Sequence, residues 1–273
     1  MQPPSKVATT SGRHIVVGEM CPQGAGGRAG VAPLIMRNMG WTDKADEVSG
    51  VIERGGVPRF TVFGVDGKVA GLFDTVGLTE IGLPQSVASG TYVGSPPCTS
   101  DAGKGTRVED QKCVPAMGGC GLAVGELVRP DDPPETAAYQ TGGACISADQ
   151  QNLVVDIDGD GVVEAFPLVG ALDGIRGPAA EWSAAASSGP GAPCKPTFQL
   201  YDIRLAPEPD KGKVDQKAIV TIDLMGVVDL DGDGRKEVVL SMKFPTVRTI
   251  VVYTANGSAQ RLGMAGEAMS FAR

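Results

Sequence analysis

The sequence predicts a mainly β protein, assembled from antiparallel hairpins and blade-like repeats that irregular, disulfide-stapled loops connect. Three observations lead there. The 273 residues include 39 glycines and 20 prolines, so the backbone must turn often and long helices have little room. Apolar stretches of strand length flank turn dipeptides such as Asp66-Gly67 and Asn256-Gly257, which suit the positive φ angles of a type I′ hairpin turn. Finally, two nine-residue acidic segments of one design each sit between apolar runs, beginning at Asp156 and Asp229.

Taken in order, residues 1–12 are polar and read as a flexible tether; they lack the apolar stretch of a signal peptide, so an exported protein would have lost its presequence ahead of the numbered chain. His14 to Gly18 reads as a first strand, followed by a glycine-rich stretch to Gly30 and a short helix over 32–39. Residues 59–65 and 68–73 form a hairpin around Asp66-Gly67. From Gly94 to Gly121 the chain is rich in Gly, Pro and Ser, and Cys98, Cys113 and Cys120 suggest an irregular segment held by a disulfide. The acidic, proline-rich stretch from Arg129 to Glu135 marks a linker, taken as 129–143, between a β-rich, cysteine-containing region (13–128) and a second β-region (144–273). Within the latter, 177–196 is an Ala/Ser/Gly/Pro excursion with at most a short helix over 180–186. Strands resume at 198–201 and 218–222, and a last hairpin joins 249–253 to 258–262.

Composition excludes several functions. The net charge is −8, and no Lys/Arg stripe is present to track phosphates, so nucleic acid is not expected as a partner. No run approaches 18 apolar residues, so no transmembrane segment is expected. Six cysteines without a Cys-x-x-Cys pair, and a single histidine, His14, argue against zinc. Their even number favours disulfides and an extracytoplasmic location, secreted, periplasmic or surface-attached, where each bridge contributes roughly 2–4 kcal/mol. Six reduced, buried thiols are the alternative.

The acidic segments share the frame Asp-x-Asp-Gly-Asp-Gly-x-x-Glu. Alternate carboxylates in a tight turn can converge on one hard cation, and the glycines let the backbone double back. Two calcium sites follow. Asp156, Asp158 and Asp160 supply carboxylates in the first, Val162 its backbone carbonyl and Glu164 the closing carboxylate. In the second those roles fall to Asp229, Asp231, Asp233, the Arg235 carbonyl and Glu237. An EF-hand would need Glu at loop position twelve, where Pro167 and Leu240 stand. Arg235 and Lys236 offset the second loop's charge, so the first site is expected to be the tighter one.

This frame between apolar strands resembles the FG-GAP or VCBS calcium repeat of integrin-α-like β-propellers and secreted bacterial proteins. The resemblance covers 152–170 and 221–263. The family usually places Asp at the ninth position, where Glu164 and Glu237 stand here, and its Phe-Gly and Gly-Ala-Pro signatures are faint. A full seven-bladed propeller needs more chain than this. Either a partial or small propeller, or an unrelated β-fold bearing two such loops, remains open. The resemblance implies a non-enzymatic, calcium-stabilised extracytoplasmic protein serving in binding, adhesion or surface architecture, with a cell-surface protein or glycan as partner. The alternative is a secreted, calcium-dependent polysaccharide hydrolase or lyase; carboxylates committed to calcium are poor proton donors, and no other catalytic pair stands out.

Other motifs carry little. The glycines at 24–27 lack the βαβ frame of a dinucleotide site, and 103–106 lacks the first glycine of a phosphate loop.

Overall fold

The computed structural model describes residues 13–22, 27–38, 40–64, 67–82, 85–95, 97, 120–127, 139–141, 144–146, 152–159, 164–167, 181–183, 199–204, 219–243, 247–255 and 261–271. Among the described residues, glycine-punctuated apolar segments form strands. They are β1 (Ile15–Pro22), β2 (Arg28–Arg37), β3 (Trp41–Thr42), β4 (Arg59–Phe63), β5 (Val69–Gly82), β6 (Gln85–Gly94) and β7 (Gly121–Glu126), with helix α1 (Ala45–Glu53) between β3 and β4. The second half holds β8 (Ala144–Ile146), β9 (Asn152–Val155), β10 (Glu164–Pro167), β11 (Glu181–Ser183), β12 (Gln199–Arg204), β13 (Ile219–Val228), β14 (Glu237–Lys243), β15 (Val247–Ala255) and β16 (Arg261–Phe271). The mainly β, antiparallel character expected from the sequence is what the chain adopts.

The first seven strands run in the order β1, β7, β4, β5, β6, β2, β3, and β1 also pairs with β2. Six of them therefore close into an antiparallel barrel, with β3 appended to β2. Closure removes the free edges that an open sheet of this size would present. Side chains alternate along each strand, so β1 serves two cores. Val16 and Met20 join the barrel interior, while Ile15 and Val17 belong to a second cluster outside it. In β7, Ala123 points into the barrel and Leu122 and Val124 point out. The interior is tight: a Cβ on Gly18 would lie 2.5 Å from Val31 Cγ1.

The outer face of β1, β2, β4 and β7 packs on a six-stranded antiparallel sheet of order β11, β16, β15, β14, β13, β12. Met225, Val228, Leu230, Val239, Ile250, Val252 and Ala268 from that sheet and its loop meet Ile15, Val17, Ile35, Phe63, Leu122 and Val124 from the barrel. Segments on both sides of the expected linker thus share one core. Residues 128–138 lie outside the described part; Tyr139 packs against this shared cluster, and its ring meets Phe63 edge-on. A third, three-stranded sheet runs β10, β9, β8.

Three local expectations are corrected. The helix expected over 32–39 is strand β2, because its apolar run serves two buried faces: Val31, Leu34 and Met36 fill the barrel and Ile35 the shared core. Periodicity alone does not separate such a run from a helix. The helix falls instead at α1, whose acidic first turn holds Asp46 and Glu47 and whose Val48 and Ile52 lie on the barrel core, before Gly55 at φ 73° ends it. The helix expected over 180–186 is also corrected: Glu181–Ser183 pair as β11 with β16. Cys120 does not staple its own segment. It bonds to Cys21, at the end of β1, where the β1–β7 ladder that closes the barrel ends at Met20 and Gly121. Cys98 and Cys113 lie outside the described residues.

The expected hairpins are present. β4 pairs with β5 with Phe60 opposite Phe73, and Gly67 has φ 75° in the turn, where Val65 and Asp66 lie outside the described residues. β15 pairs with β16, and their connection at 256–260 lies outside as well.

Candidate metal centre

Each acidic loop closes a hairpin in the same register. Glu164 pairs with Val155 across β9 and β10, and Glu237 pairs with Val228 across β13 and β14. The ninth residue of each frame therefore lies opposite the residue before its first Asp. The turns begin alike. Gly159 N donates to Asp156 Oδ1 at 2.7 Å and Gly232 N donates to Asp229 Oδ1 at 2.7 Å, with the glycines at φ 75° and 78°. Only glycine adopts that backbone without strain. The residue between the first two aspartates is a core plug in both copies, since Ile157 and Leu230 are both fully buried. An apolar residue at loop position two is the sequence signal for that anchoring.

In the second loop the carboxylates are wired to the turn. Asp229, only 3% exposed, also accepts from Gly234 N at 3.2 Å. Asp231 Oδ1 accepts from Asp233 N at 3.1 Å, and Asp233 Oδ1 from Arg235 N at 2.7 Å. Glu237, 1% exposed, accepts from Leu230 N at 2.8 Å and from Thr254 Oγ1 at 3.2 Å. Asp229, Asp231 and Glu237 each bring a carboxylate oxygen to within 4.8 Å of the others. Asp233 is exposed and is not among these three; Arg235 is half-buried. In the first loop Asp156 and Asp158 are half-buried, whereas Asp160 and Val162, and the Glu164 side chain, lie outside what the structure describes.

Burial and mutual repulsion act on the group. Burial pushes Glu237 up to about 8, and the nearby Asp231 charge adds to the shift against the opposing Leu230 amide and Thr254 hydroxyl. Asp231 is also raised, first by burial and then by the Asp233 and Asp229 charges, with Arg37 pulling it down. Clustered carboxylates that resist ionisation are what a divalent cation would relieve. Three carboxylate oxygens this close are a donor set that could hold a metal ion.

Several residues around this loop left no mark in the sequence. Arg37, at the end of β2, pairs with Asp231 Oδ2 at 2.9 Å and donates to the Arg13 carbonyl at 3.2 Å. Arg13 N donates to the Asp231 carbonyl at 3.0 Å, and the Arg13 guanidinium lies over the Tyr139 ring. Asp229 N donates to Gln140 O at 2.8 Å. The loop is thus where barrel, six-stranded sheet and the 139–141 segment meet. Lys236 behaves differently from its place in the sequence. It is 7% exposed, its ammonium donates to the Asp156 carbonyl at 2.8 Å, and its amide donates to the Ile157 carbonyl at 2.8 Å. Its charge is delivered to the first loop, and Arg37 brings one to the second, beside Arg235.

No family model matches the chain, and no curated protein or solved structure matches it.

Proposed function

We propose that this chain is a non-enzymatic, calcium-stabilised extracytoplasmic protein for binding, adhesion or surface architecture, in which the ion fixes the joint between barrel and sheet. The observation that supports it is the grouping of Asp229, Asp231 and Glu237 in a loop whose backbone also holds Arg13 and Gln140. Asp229, Asp231 and Glu237 would hold the ion in the second loop, and Asp156 and Asp158 start the equivalent set in the first. Calcium supplies charge neutralisation and cross-links the turn; the protein contributes the buried carboxylates and the amides that aim them. The Cys21–Cys120 bridge fits an oxidising compartment.

Thermal melts in calcium and in chelator test the reading. Calcium is expected to raise the melting temperature of the unaltered protein, as for any ligand that binds only the folded state. The Glu237→Gln variant should lose most of that rise. Equal melting in calcium and chelator for the unaltered protein would sink the proposal.

A further inference from the structure

A second cluster of reactive and charged side chains lies away from the acidic loops, around the Cys21–Cys120 bridge. Arg248, carried by β15, points its Nη1 at Cys21 Sγ at 3.0 Å and stands 4.0 Å from Cys120 Sγ. The same nitrogen pairs at 3.2 Å with Glu19 Oε2, whose side chain is 1% exposed. Ser241, on β14, donates to that oxygen at 3.3 Å. A Glu19 carboxylate oxygen lies within 4.8 Å of both sulfurs. Both cysteines are half-buried.

An inert staple has no need of a guanidinium against one sulfur. A positive charge beside a sulfur stabilises the thiolate over the disulfide, lowers that thiol's pKa and improves it as a leaving group. Glu19 acts through Arg248 as a positioning residue: it is fixed on β1, one residue before Met20, and holds the guanidinium against Cys21 while offsetting part of its charge. The cluster also bridges the two halves of the fold, since Glu19 and the cysteines belong to the barrel and Arg248 and Ser241 to the six-stranded sheet.

We propose that Cys21–Cys120 is an exchange-active cystine, tuned by Arg248, that takes electrons from a thiol reductant of the dithiol class. The reductant's thiolate attacks Cys120 Sγ, a new sulfur–sulfur bond forms there, and the Cys21–Cys120 bond breaks with its electron pair leaving on Cys21 as a thiolate against Arg248. The reductant's second thiol gives up its proton and displaces Cys120, which takes that proton. The reductant ends as a disulfide, and the protein holds a Cys21 thiolate and a Cys120 thiol, a two-electron exchange. The asymmetry of the two sulfur distances assigns the leaving group to Cys21.

The protein is equilibrated in buffers of reduced and oxidised dithiothreitol, free thiols are alkylated, and the Cys21 and Cys120 peptides are quantified by mass spectrometry. Arg248→Met is expected to make the disulfide about tenfold harder to reduce, roughly 30 mV for a two-electron couple. Arg248→Lys should restore most of that loss, and Glu19→Gln should shift the equilibrium the other way. Alkylation of Cys21 in the reduced protein should have its midpoint below that of an ordinary thiol, and Arg248→Met should raise it. The direction matters. If Arg248 only packed the interface, its loss would loosen the fold and make the bridge easier to reduce; that result, or an unchanged equilibrium, overturns the proposal. So does an ordinary thiol profile for Cys21 in the reduced, unaltered protein, including one caused by unfolding on reduction.

Discussion

At the scale of the residue, Arg37 shows how a side chain can work against the site it touches. Its guanidinium lies 2.9 Å from Asp231 Oδ2, and both side chains are largely out of solvent. In the ion-free protein it neutralises one carboxylate of a crowded group; to an arriving cation it is a like charge a few ångströms away. Arg37→Met is therefore expected to tighten calcium binding about three- to tenfold by calorimetry, from the Coulomb term at partly buried distances. It should also lower the melting temperature in chelator. Weaker binding in that variant would show instead that Arg37 chiefly positions Asp231. Asp229, Asp231 and Glu237, which the fold groups, were legible in the sequence because their spacing is local; that Asp233 is exposed was not. Arg37 and Arg13 were not, since they reach the loop through strand pairings that join distant parts of the chain, and no short motif encodes those pairings. Lys236 was visible as a charge but not as a direction.

At the scale of the element, hairpins whose two strands adjoin in sequence were readable, because turn chemistry and alternation agree there. β4 with β5 and β15 with β16 are the cases. The segment 32–39 was not, because a strand buried on both faces loses its alternation and looks like any apolar run. Helix α1 carried its own signal, acidic residues ahead of Val48, Val51 and Ile52 at helical spacing and glycines after, but the segment is short and its apolar face modest. That face matters to the barrel. Ile52 is 3% exposed and lies in the barrel core cluster, so Ile52→Ala should cost about 2–4 kcal/mol in chemical denaturation, as buried truncations do. A cost under about 1 kcal/mol would mean that the helix end rearranges to fill the space.

At the scale of the whole molecule, the second acidic loop ties three regions together through its backbone. Arg13 N reaches Asp231 O, Asp229 N reaches Gln140 O, and Lys236 N reaches Ile157 O. Hydrogen exchange of the full chain in chelator, compared with calcium, is expected to quicken at the amides of Arg13, Asp229 and Lys236 together with those of Gly232 and Gly234. Quickening confined to Gly232 and Gly234 would show that the ion shapes the turn without fastening the joint. The sequence divided the chain near residue 129, whereas Ile15, Leu122 and Val239 share one core; composition marks a polar stretch and cannot record what packs across it.

The closing pair of the barrel has a further effect, on how the protein comes to be made. β1 meets β7 with Ile15 opposite Glu126, so β1 waits for one of its two neighbours until the whole of the intervening chain exists. Such distant pairing raises contact order and slows folding. Until then one side of β1 offers unsatisfied amides and carbonyls to any other strand nearby, which makes the nascent first hairpin the place where misassociation during synthesis would begin.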